Sequence, residues 1–99
     1  MNIKEKLEKN IYFLLKAQLA LESYEDDNKV QIPLIQEAYN VHQKFRDSRS
    51  VLNHEQQLKL TEMIIKKYNE AFDFIGRKNF IFYDDGDINY IWKGVKNNE

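Results

Sequence analysis

The chain has 99 residues, 42% hydrophobic and 31% charged, with a net charge of −1 and no cysteine. That length sets one domain with one core, and the composition argues against disorder. The missing cysteine excludes disulfides, thiolate metal sites and a cysteine nucleophile, and it fits a reducing cytoplasm.

The N-terminus, MNIKEKLEKN, carries charges of both signs and no apolar core, so no signal peptide is expected. The longest apolar run near it, Ile11 to Leu15, is far too short to span a bilayer. A cytoplasmic protein with no membrane contact is the expectation. A phosphate-binding domain usually shows a clear basic excess, and this chain shows none.

A first helix is predicted from about Ile3 to Tyr24. Ile3, Leu7, Ile11, Leu14, Leu15, Leu21 and Tyr24 recur at helical spacing. Its middle, IYFLLKAQLAL, is apolar nearly all round, which suits a central core helix or an oligomer face. Glu25, Asp26, Asp27 and Asn28 read as a solvated loop; their spacing matches no calcium loop.

A second helix is predicted over 32–49, opening at Ile32-Pro33, where the missing proline N–H costs nothing. Ile35, Ala38, Tyr39, His42 and Phe45 form its stripe, and the basic end KFRDSRS suits a helix C-terminus. A third helix is predicted over 54–75. Asn53 and Gln56 form a capping-box pattern before it. Leu58, Thr61, Ile65, Tyr68, Phe72 and Ile75 make its stripe, widened by Leu60, Ile64, Ala71 and Phe74. Gly76 is a natural left-handed terminator.

The stretch NFIFYDDGDINYIW, 79–92, reads as a β-hairpin turning at Asp85-Gly86. A two-residue turn there opposes Tyr83 to Ile88, Phe82 to Asn89 and Ile81 to Tyr90. Alternation then puts Phe80, Phe82, Asn89 and Ile91 on one face. Ile81, Tyr83, Ile88, Tyr90 and Trp92 fall on the other. Residues 93–99 read as a frayed polar tail. The predicted fold class is α+β, mostly α: a three-helix antiparallel bundle followed by a C-terminal β-hairpin.

No constellation for catalysis, cofactor or metal is expected. His42 falls on an apolar stripe and reads as a satisfied core residue, and His54 sits in a helix first turn. The three glycines, Gly76, Gly86 and Gly94, are scattered and form no phosphate loop. The candidate partner-binding residues are Asp84, Asp85 and Asp87 at the turn, with Tyr83, Tyr90 and Trp92 beside them. Aromatic residues around charges are typical of an interface centre. The three carboxylates read either as solvated turn residues that blunt an exposed ribbon or as contacts to a protein with a basic or nucleic-acid-binding surface.

The expected function is a small non-enzymatic protein-binding protein, such as an inhibitor, immunity factor or phage-encoded regulator. Two alternatives come from other classes. Three helices and a hairpin are the bare order of a winged-helix DNA-binding regulator, with Lys44, Arg46, Arg49, Arg77 and Lys78 as phosphate contacts. The acidic turn argues against that reading. A structural homodimer covering one hairpin face is the other alternative.

Overall fold

A computed structural model describes residues 2–76, 81–82 and 88–89, the last four as backbone only. Three helices make up the fold: α1 (Ile3–Asn28), α2 (Pro33–Ser48) and α3 (His54–Phe74), with a 3₁₀ turn at Arg49–Val51 between the last two. The central element is α3, packed against both α1 and α2, which touch each other only slightly. Among the described residues no helix is long and apolar enough to cross a membrane.

Local chemistry accounts for the helix ends. Asn53 and Gln56 close the predicted capping box: the Asn53 carboxamide accepts from the Gln56 N–H at 2.8 Å, and the Gln56 side chain accepts from the Asn53 N–H at 3.0 Å. Asn2 and Glu5 do the same at the start of α1. Pro33 occupies the first turn of α2. Beyond α3, Gly76 takes φ +78°, a left-handed conformation open to glycine at little cost.

The first loop is a correction. Glu25–Asn28 continue α1 for a further turn, and the helix ends only where Lys29 turns left-handed, with φ 55°. The Lys29 and Val30 N–H groups donate back to the Asp26 and Glu25 carbonyls, satisfying the last turn. Glu25 is buried, not solvated.

The core gathers Phe13, Leu14, Ala17 and Leu21 from α1. Ile35, Ala38 and Phe45 come from α2, and Ile64, Ile65, Tyr68, Ala71 and Phe72 from α3. The stripes predicted for α2 and α3 largely face inward. On α1 the predicted Leu7, Leu14 and Leu21 are buried, but Asn10 is buried as well, whereas Leu15 of the stripe is 45% exposed and Leu19 of the apolar middle 62%. The apolar middle of α1 is thus covered on one side only. Phe74, expected to widen the α3 stripe, is also exposed.

Asn10 lies between α1 and α3. Its Nδ2 donates to Thr61 Oγ1 at 3.0 Å, and the Thr61 hydroxyl donates to the Leu58 carbonyl at 2.8 Å. Asn10 Oδ1 is buried with no hydrogen-bond partner. A stranded acceptor costs about 1–3 kcal/mol, more than one side-chain hydrogen bond returns. Asn10→Leu is therefore expected to raise stability by about 1–2 kcal/mol in urea denaturation, since Thr61 keeps its bond to Leu58. A loss of stability would show that the Asn10–Thr61 bond outweighs the orphaned oxygen.

The predicted α+β class is overturned: the described residues form a helical bundle, and they do not support the C-terminal β-hairpin expected over 79–92. The extended structure among the described residues is two residue pairs, Ile81–Phe82 (β1) and Ile88–Asn89 (β2), aligned antiparallel. Their register also differs from the expected one: Ile81 lies opposite Asn89 and Phe82 opposite Ile88. A two-residue turn at Asp85-Gly86 does not produce that register.

Candidate partner-binding groove

The candidate residues read from the sequence, Tyr83, Asp84, Asp85, Asp87, Tyr90 and Trp92, lie outside the described residues, as do Arg77 and Lys78. The helices supply a different candidate, which the sequence reading did not single out. It is a groove between α2 and α3.

Two polar clusters set the position of α2, and so the groove's shape. The first centres on Glu25. Ile32, at the N-cap position of α2, has no capping side chain of its own, and its N–H donates to Glu25 Oε2 at 3.1 Å. Gln36 Nε2 donates to both Glu25 oxygens at 3.2–3.3 Å, and the Tyr39 hydroxyl donates at 3.4 Å. A carboxylate from the end of α1 thus caps the start of α2, where the helix dipole favours negative charge. Burial, and then the nearby Glu25 carboxylate, hold the Tyr39 phenol well above its ordinary range.

The second cluster joins α2 to α3. His42 is 2% exposed, and its Nδ1 shares a 2.7 Å hydrogen bond with the Tyr68 hydroxyl. The two rings also meet edge-on, with centroids 5.6 Å apart. Burial, and after it the Arg46 cation, push His42 down to about 4. Burial likewise raises the Tyr68 phenol far above its ordinary value. The arrangement matches the expected core role of His42.

Two basic residues at and just past the end of α2 are engaged within the bundle. Arg46 Nη1 donates to Gln18 Oε1 on α1 at 3.2 Å. Arg49 Nε donates to Gln57 Oε1 on α3 at 3.1 Å, and Gln57 Nε2 donates back to the Leu52 carbonyl at 3.0 Å. These bonds use two members of the cluster considered as phosphate contacts to hold the helices together.

With α2 and α3 held in this way, their outer surfaces leave a cavity of about 230 Å³. From α2 come Val41, Lys44, Phe45 and Ser48; from α3 come Leu60, Met63 and Ile64. Phe45 and Ile64 form a nearly inaccessible floor, and Met63 stands half-exposed at the rim. On the α3 side, Met63 also borders a shallower hollow with Glu62, Lys66 and Asn69. Near the start of α2, Lys67 of α3 pairs with Glu37 at 3.1 Å across the two helices. The lining is thus an apolar trough with one lysine in its wall. Among the described residues, no group of three or more histidine, aspartate or glutamate side chains could hold a metal ion.

The signal that could have pointed here is modest. Val41 and Lys44 on α2, and Leu60 and Met63 on α3, flank the buried stripes at helical spacing. Only the antiparallel placement of the two helices turns those flanks into one groove. No protein-family model, curated protein sequence or solved structure matches the chain.

Proposed function

We propose that the protein is a small, non-enzymatic protein-binding module, of the inhibitor or regulator type, that captures an apolar side chain of its partner between α2 and α3. The observation that carries this reading is the apolar trough of Val41, Phe45, Leu60, Met63 and Ile64. Its volume of about 230 Å³ lies below the roughly 300–1,000 Å³ of small-molecule sites, and it suits an anchoring side chain better than a free ligand. Met63 at the rim supports this further, since methionine adapts its shape to different apolar surfaces.

A photo-crosslinking amino acid at Met63, installed in the full chain inside its host cell, tests the proposal. One discrete covalent adduct is expected at Met63 and none at Lys29, an exposed control far along the chain. Adducts absent at Met63, or equal at both positions, would refute it. The residues Asp84, Asp85 and Asp87 remain a second proposed contact, resting on the sequence alone.

A further inference from the structure

We infer that one flank of α1, the row Lys9, Phe13, Lys16, Ala20 and Tyr24, is the docking surface for the chain's own C-terminal segment, with Asp84, Asp85 and Asp87 set against Lys16. This inference is independent of the groove between α2 and α3.

The covered side of α1 has a centre row and two flanks. The centre row faces α3, where Asn10 bonds Thr61. One flank faces α2: Gln18 accepts from Arg46, and Glu25 accepts from Ile32 and Gln36. At 3.6 residues per turn, Phe13 and Ala20 stand about 140–160° around the helix from Gln18, so α2 does not reach them. Yet Phe13 is completely buried, and Ala20 and Tyr24 are partly buried. Lys9, Phe13, Lys16 and Tyr24 each make a polar, charged or ring contact on this flank. Besides α2 and α3, β2 (Ile88–Asn89) also lies against α1. The outward face of α1 is too open to hold it, with Tyr12, Leu15 and Leu19 all exposed. The Phe13 flank is the place left for β2 and the chain around it.

Reach and charge agree with that placement. Helices α1 and α3 run in the same direction, and the Asn10–Thr61 bond sets them level, so Gly76 stands beside Glu25. Lys16 is nine residues back along α1, about 14 Å. The eight residues from Gly76 to Asp84 span up to about 26 Å when extended, so the aspartates can reach it. Asp87 adjoins β2 directly. Lys16 is the one charge from Ile11 to Leu21, and its neighbours three and four residues away, Tyr12, Phe13, Leu19 and Ala20, are all uncharged. Its Nζ lies 5.8 Å from the Tyr12 ring centre. Lys9 is balanced by Glu5 and Glu8 in one hollow, and Lys66 by Glu62 on α3. Lys16 therefore sets the sign of this flank, and carboxylates complement it. A partner that takes the three aspartates must first displace them from Lys16.

Zero-length carbodiimide crosslinking of the full chain, read by peptide mass spectrometry, tests the inference. The reagent joins a lysine amine to a carboxylate in contact, and the Lys67–Glu37 pair at 3.1 Å is the internal control. In the monomer, a crosslink from Lys16 to the stretch 84–87 is expected at least tenfold above any from that stretch to Lys44 or Lys59. Its absence while the control forms, or equal yields at all three lysines, would overturn the docking. The same adduct confined to a dimer fraction would make a second copy the occupant and overturn it too. Charge reversal checks the sign. Lys16→Glu is expected to lower the urea midpoint of the full chain, and adding Asp84→Lys/Asp85→Lys/Asp87→Lys is expected to restore most of that loss. A further loss in the combined chain would overturn the charge pairing.

Discussion

Lowering the pH from 7 to 4 is expected to remove about 3 kcal/mol of stability through His42 alone, at about 1.4 kcal/mol for each pH unit between its two protonation constants. In the unfolded chain the imidazole takes up a proton near its ordinary value of 6.5, whereas in the native core it stays neutral down to about 4. Between those values the unfolded state binds more protons, so stability rises with pH there. The contribution is fully present above 6.5, and falls steadily as the pH drops towards 4. Urea denaturation at closely spaced pH values checks this. His42→Gln should flatten the slope in that window. A wild-type slope that survives His42→Gln would assign the acid sensitivity to other groups.

The second large effect is expected at Glu25. Truncation to alanine takes away the acceptor of the Ile32 N–H, the Gln36 amide and the Tyr39 hydroxyl together. The backbone donor then sits at a helix start with no other cap. A loss of about 2–4 kcal/mol is expected, because donors lose a charged partner in a partly buried place. Glu25→Gln keeps an acceptor oxygen but sets its own NH2 among donors, so about half that loss is expected. Hydrogen exchange reports the mechanism directly: the Ile32 amide should lose protection in Glu25→Ala before the middle of α2 does. Unchanged protection at Ile32 would mean that Glu25 stabilises the fold in some other way.

Both effects come from single polar residues that the sequence presented very differently. His42 stood on an unmistakable apolar stripe, between Ala38 and Phe45, so its burial was legible in advance. What it touches was not: Tyr68 is 26 residues away, and only the docking of α2 on α3 brings the two together. Glu25 was misread. It begins a run of four polar residues, and such a run looks like a loop when judged on its own. Its bonds to Ile32, Gln36 and Tyr39 exist because α1 overshoots by a turn and places one carboxylate at the N-terminus of α2. An uncapped isoleucine at the start of α2 was the one local hint that an acceptor had to come from elsewhere.

The segment 79–92 failed for a related reason. Aromatic and β-branched residues around Asp-Gly satisfy every local rule for a hairpin, and a two-residue turn there would have set the register. The pairing of Phe82 with Ile88 is incompatible with the turn that the dipeptide suggested.

The amino-acid sequence by itself determined the three helices, their capping at Asn53 and Gly76, and the inward faces of α2 and α3. Those features follow from spacing, caps and backbone conformation within a few residues. Tertiary structure decided which side of α1 is covered, which carboxylate caps α2, and where the outer flanks of α2 and α3 meet to form a groove. Each of these depends on residues far apart in the chain arriving at one place, and helical periodicity specifies a face without naming what will lie against it.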